Sequence, residues 1–219
     1  MREKFWLDLW QKNEIGFHQP AHNELLLQFW SELALPQGTE VFVPMCGKSL
    51  DMRWFEAQGY PVVGVELARL AVAGFFADGN ETPEVDAVDR FERSVGRAAT
   101  IYQGDFFDLT APLLSNVQGL FDRGALVALP PDMRFRYVDH LLRIIPDGTR
   151  MLLITFEYDQ DLVSGPPHAV DPDEVESLYG GRCEVELLET FVTSSLPKRF
   201  ADSKVPQAAE SVYRIVKLE

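Results

Sequence analysis

The chain has 219 residues, enough for one α/β domain with a substantial core. Its hydrophobic share of 46% and charged share of 25% are globular values, and no apolar run approaches the ~18 residues of a membrane span. A net charge of −14 without any Lys/Arg cluster disfavours nucleic acid and anionic membranes as partners; it leaves room for a small anionic substrate held by one or two local arginines. The stretch MREKFWLDLW lacks the apolar core of a secretion signal. Cys46 and Cys183 form neither a disulfide framework nor a metal pattern. A reducing cytoplasm and no metal are the corresponding expectations.

In chain order, residues 3–13 carry Phe5, Trp6, Leu9 and Trp10 as an apolar helical stripe. Core packing explains such tryptophans, and a lid over a ligand uses the same residue types. Gly16 to Pro20 reads as a loop. Residues 22–33 repeat the amphipathic pattern and stop at Pro36-Gln37-Gly38. Residues 1–38 therefore form a helical cap ahead of the first strand, within a single domain spanning 1–219.

Residues 40–66 read as strand, turn, helix, strand. Val41-Phe42-Val43 is the first strand, Pro44 to Lys48 the turn, and Ser49 to Gln58 the helix, with Leu50, Trp54 and Phe55 on one face. Val62 to Val65 is the second strand, closed by Glu66. The unit fits a βαβ crossover between parallel strands. Glu66 lies 19 positions beyond Gly47, where a Rossmann-like half places an acid that accepts from a ribose. No GxGxxG or GxxxxGK[ST] is present, and one glycine cannot cradle a pyrophosphate. The turn suits a nucleoside without phosphates, such as S-adenosylmethionine (SAM); an ordinary βα turn with a surface Glu is the plain alternative.

Residues 67–77 read as a helix and 78–90 as a loop. Phe91–Val95 and Ala99–Tyr102 flank Gly96-Arg97 as a hairpin. Residues 119–122 form a short strand. Pro131 opens a helix reaching Ile145. Residues 150–158 are a doubly buried strand. Asp171-Pro172-Asp173-Glu174 starts a further helix, and 184–192 alternates as a strand. Residues 194–207 read as a long polar loop before the last strand, 211–218. The order describes an open α/β sheet, doubly wound and mostly parallel, with an antiparallel strand at the end.

Ligands of such sheets sit beyond the carboxyl ends of the strands. Here those ends carry Pro44 to Gly47, Glu66, Gly104-Asp105-Phe106 and Asp122-Arg123-Gly124. Glu66 suits a ribose, Asp105 or Phe106 an adenine, and Arg123 an anionic group. The alternatives are an ion pair for Arg123, an exposed loop acid for Asp105 and a core position for Phe106.

The stretches FWLDLWQKNEIGFHQPAHNELLLQF, VFVPMCGKSLDMRWFEAQGYPVVGVE, GDFFDL, FDRGALVALPP and GPPHAV resemble the thiopurine S-methyltransferases, most closely their bacterial members. The joint W-x3-W-x6-FHQ, P-x-CGK-S and DRGAL segments carry the resemblance over nearly the whole chain. It implies the SAM-dependent methyltransferase fold, a seven-stranded sheet with the last strand antiparallel. Carried over residue by residue, it implies SAM contacts at Trp6, Trp10, Met45, Gly47, Glu66, Asp105, Phe106 and Arg123. Arg123 also becomes the catalytic candidate near the methionine end, and Phe17 a contact of the aromatic substrate. Arg199, matched by counting back from the last strand, is a second substrate contact. Where better-known animal relatives carry Ser-Ile, this chain has Asp105-Phe106. The implied reaction is methyl transfer from SAM to the sulfur of thiopurines and other aromatic or heterocyclic thiols, by a monomer, giving S-adenosylhomocysteine. Methylation of selenium or tellurium compounds, in tellurite or selenium resistance, is one alternative, and a non-catalytic SAM-binding sensor is another.

Overall fold

The computed structural model of the protein describes residues 3–193, 200, 205 and 207–219. Within them one sheet runs in the order β3-β4-β5-β2-β1-β6-β7-β9-β8. Its strands are β1 (Glu40–Val43), β2 (Val62–Glu66), β3 (Glu84–Val88), β4 (Phe91–Val95), β5 (Ala99–Gln103), β6 (Val117–Arg123), β7 (Arg150–Glu157), β8 (Cys183–Thr193) and β9 (Ala208–Lys217). The central strands β5, β2, β1, β6 and β7 pair in parallel. They are the apolar runs that can be buried on both faces. β9 pairs antiparallel with β7 and with β8.

Seven strands match the expected sheet, and two more lie at its edge. The stretch read as a loop over 78–90 contains β3, antiparallel to β4. Its residues Glu84 to Ala87 are exposed. An edge strand that buries neither face carries no hydrophobic period, which is why its polar composition read as a loop. The hairpin of β4 and β5 is present as expected.

Helices α3 (Leu50–Ala57), α4 (Arg69–Asp78), α5 (Pro131–Ile144) and α6 (Pro172–Tyr179) cover the sheet. Asp171 caps α6 by accepting the Glu174 N–H at 2.8 Å. The buried face of α3 is Asp51, Met52 and Phe55, rather than the expected Leu50, Trp54 and Phe55. Leu50 and Trp54 are half-buried.

The cap over residues 1–38 divides in two. Helix α2 (Glu24–Phe29) and the 3-10 turn Trp30–Leu33 belong to the core, packed with Val41, Phe55, Phe121 and Leu152. Arg150 fastens that turn by donating to the carbonyls of Leu33 and Ala34. Asp51 fastens the start of α2, accepting from the Asn23 N–H at 2.8 Å while the Ser49 hydroxyl donates to its other oxygen. Helix α1 (Glu3–Gln11) touches the body chiefly through Trp10, which is buried with Ala68 and Ala71 of the α4 end. Only this outer part has the loose attachment a lid needs.

Asp51→Ala should leave the buried Asn23 N–H without an acceptor, at a cost of about 1–3 kcal/mol. Urea unfolding measures it; an unchanged midpoint would remove Asp51 as the tie between α2 and α3.

Candidate active site

The chain crosses to the other side of β1 after β5, so the sheet reverses its order between β1 and β6. The carboxyl ends of β1, β2, β5 and β6 surround this point. After β1 the backbone turns sharply, with Met45 at φ 47° and Gly47 at φ 55°. Both lie in the left-handed region, which a side chain such as that of Met45 rarely adopts. A Cβ on Gly47 would stand 3.3 Å from the Trp10 ring. Glycine is thus required twice over, for its dihedral and for the indole laid against it.

Glu66 ends β2 almost fully buried. One carboxylate oxygen accepts the Gly47 N–H at 2.8 Å and the other accepts the Ala68 N–H at 2.7 Å. Burial raises its pKa, and those amides together with that of Leu67 oppose the rise. Each oxygen keeps a further lone pair for a hydroxyl of a ligand. The neighbouring Cys46 thiol is buried, and burial, then the charge of Glu66, push its pKa well up. It packs against Gly64, where a Cβ would come within 2.7 Å of the sulfur. Cys46 is a packing residue of the turn, not a nucleophile.

At the end of β5, Asp105 spends one oxygen capping a short 3-10 turn through the Phe107 N–H at 2.9 Å. The Phe106 ring turns inward, tilted against Tyr137 at 4.8 Å and edge-on to His140 at 5.2 Å. Its side chain is packed in the core.

Asp122 and Arg123 end β6 on opposite faces. Asp122 points to the core, accepting from the Tyr137 hydroxyl at 2.7 Å and from the N–H groups of Ala125 and Leu126. This pins the DRGAL turn. Arg123 points to the other face, half-buried, and makes no hydrogen bond or ion pair among the described residues. The ion pair with Asp122 considered from sequence is therefore absent. Burial lowers the Arg123 pKa, while the carboxylates of Asp51 and Glu210 oppose that; a guanidinium stays charged regardless.

Above these groups the cap forms an aromatic cluster. Phe17 meets Trp6 at 5.5 Å and Trp10 at 5.7 Å between ring centroids, both edge-on. His18 follows, half-buried; burial, then the charge of Lys48, lower its pKa. The structure thus gathers Trp6, Trp10, Phe17, Met45, Gly47, Glu66 and Arg123 at one end of the sheet. Arg199 lies outside the described residues. No cluster of His, Cys, Asp and Glu that could hold a metal occurs among them, and no described helix is long and apolar enough to cross a membrane.

Sequence reading missed Asp51 and Glu210, the two carboxylates nearest in charge to Arg123. Glu210 fell one residue outside the strand as read. Asp51 sat on a helix face that looked polar.

An acid at the tip of β2, a left-handed turn without phosphate-binding glycines and an aromatic lid fit a nucleoside with a charged amino-acid tail, as in SAM. Solved structures agree on the fold. A Burkholderia thailandensis 1,6-didemethyltoxoflavin-N1-methyltransferase, with bound S-adenosylhomocysteine, superposes with a TM-score of 0.67 over 99% of this chain and 87% of its own, at 14% identity. A SAM-dependent methyltransferase from Methanosarcina mazei gives 0.63 over 90% of this chain and 99% of its own, also at 14%. These matches show that the chain has the fold of SAM-dependent methyltransferases.

The thiopurine S-methyltransferase family model matches residues 1–218. Thiopurine S-methyltransferases of Nitrosospira multiformis and Azotobacter vinelandii are each 43% identical, over 99% and 98% of this chain and 98% and 99% of their own. The chain belongs to the thiopurine S-methyltransferase family.

Glu66→Gln should weaken S-adenosylhomocysteine binding by about tenfold or more, as hydrogen bonds to a charged acceptor are lost. Calorimetric titration measures this; wild-type affinity would remove Glu66 from the cofactor site.

Proposed function

We propose that this chain transfers the methyl group of SAM to the sulfur of thiopurines and other aromatic or heterocyclic thiols. The S-methyl product and S-adenosylhomocysteine leave. The observation that carries this reading is Arg123, a half-buried guanidinium with no hydrogen bond or ion pair among the described residues, at the same end of the sheet as the Trp6–Phe17–Trp10 cluster. An aromatic ring suits the cluster, and an electron-rich sulfur or ring nitrogen suits the guanidinium. The net charge of −14 and absence of a Lys/Arg cluster support a small molecule as partner rather than nucleic acid. Two buried free thiols are consistent with work in the cytoplasm, and we take the acting unit to be the monomer.

SAM supplies an activated methyl on a sulfonium. The protein's part is to hold the acceptor sulfur in line with it and to keep water out. Glu66 and the Gly47 turn hold the nucleoside end. Trp6, Trp10 and Phe17 shield the other side. Arg123 stabilises negative charge on the acceptor, favouring the thiolate form.

Arg123→Ala should lower kcat by about a hundredfold, in the range seen when one charge-stabilising donor is removed. S-adenosylhomocysteine affinity should stay within about threefold. Unchanged kcat/KM with an aromatic thiol would take Arg123 out of the mechanism. Relative turnover of thiophenol against selenite and tellurite tests the acceptor class; faster turnover of the oxyanions would move the substrate to inorganic chalcogens.

A further inference from the structure

Glu210 stands across the site from Arg123. It pairs with Phe156 on β7 and Phe191 on β8. Phe191 packs into the same side of the sheet as Phe121, Ile154 and Val212, while Phe156, at the end of β7, packs into the other cluster. Residues two apart on a strand share a face, so Glu210 lies with Val212 and Arg123 with Phe121. Arg123 pairs with Ile154, and Ile154 with Val212. Glu210 is therefore one strand beyond β7 and two residues nearer the open end. Strand spacing and rise put the two Cα atoms roughly 12 Å apart.

Neither side chain makes a hydrogen bond or ion pair among the described residues, yet each feels the other's charge. Two opposite charges, neither engaged among the described residues, thus face the same side of the sheet near its open end. Asp51 also faces Arg123, but both its oxygens are engaged, by the Asn23 N–H and the Ser49 hydroxyl. His18, from the cap loop, also senses Arg123 and Asp51. Of the two carboxylates facing Arg123, Glu210 is the one whose oxygens are unengaged among the described residues. It is half-buried, and burial raises its pKa while Arg123 opposes the rise. A carboxylate so tuned can take up a proton nearer to neutral pH.

We propose that Glu210 accepts the ring N–H proton of a heterocyclic thioamide, so that the site favours acceptors carrying N–H beside C=S. This deepens the thiol reading and rests on it. In the step, the acceptor sulfur forms a bond to the methyl carbon as the C–S bond of the sulfonium breaks. The ring N–H bond breaks, its electron pair becomes the C=N bond, and C=S becomes C–S. The proton goes to Glu210. The positive sulfonium and the negative carboxylate are neutralised together, which a dry site favours. An aromatic thiol without ring nitrogen has no such proton to give.

The test compares pyridine-2-thione, which has the N–H, with thiophenol, which does not, in wild type and Glu210→Gln. The ratio of kcat/KM for the thione over that for thiophenol should fall about tenfold or more in the variant. Wild-type kcat/KM for the thione should decline as pH falls through the raised Glu210 value, because the ionised carboxylate is the base. That acid limb should be missing from the variant. A binding readout needs no turnover and no variant: with S-adenosylhomocysteine present, an absorbance titration of the wild-type protein should show tighter binding of pyridine-2-thione than of its N-methyl derivative. Equal binding of the two, or an unchanged ratio and acid limb in the variant, would overturn the role of Glu210 while leaving the thiol reading intact. A wild-type protein that methylates neither compound would overturn the thiol reading and this proposal with it.

Discussion

The site depends on one buried carboxylate. Glu66 holds the Gly47 N–H on one oxygen and the Ala68 N–H on the other, at 2.8 and 2.7 Å. It thereby joins the turn after β1 to the start of α4. The turn contains a methionine at φ 47°, a conformation that persists only where its surroundings hold it. Burial works against the charge on Glu66, and the amides offset it. The group that fixes the loop is thus also the one positioned to grip a sugar. Trp10, whose ring would stand 3.3 Å from a Cβ on Gly47, ties the outer helix to the same point.

A similar economy governs the end of β6. Strand alternation sends Asp122 and Arg123 to opposite faces. Asp122 spends its charge inside, on Tyr137 and the backbone of the DRGAL turn. Arg123 is left unpaired among the described residues on the other face, where Asp51 and Glu210 balance it from a distance. On the proposed reading, a guanidinium already half-dry would meet an electron-rich acceptor with little further desolvation.

The βαβ unit over 40–66 is legible in the sequence because its strands are buried on both faces and its helix is bounded by Ser49 and Gly59. The spacing of Gly47 and Glu66 across that unit brings them together in the fold, the carboxylate accepting the Gly47 N–H at 2.8 Å. The outer strand β3 is not legible, since it buries nothing that would imprint a period. Phe106 misleads because an aromatic at a strand tip reads equally as ligand wall and as core, and here Tyr137 and His140 claim the ring. Glu210 escapes notice because a lone acid at a strand's start looks like surface; only the pairing with Phe191 shows which face it takes. The division of the cap into a core part and an outer helix is likewise tertiary. Both stretches have the same amphipathic pattern, but the first turn of β7 supplies the Arg150 tether to only one of them.

The claim on which all of this turns is that the adenosyl ligand lies over the tips of β1, β2 and β6 beneath the N-terminal aromatics. A crystal structure with S-adenosylhomocysteine tests it most directly. The ribose hydroxyls should lie within hydrogen-bond distance of the Glu66 carboxylate, with Trp10 against the ligand and the sulfur on the Arg123 side. A ligand bound elsewhere, or a ribose that leaves Glu66 engaged only by its two backbone amides, would contradict it.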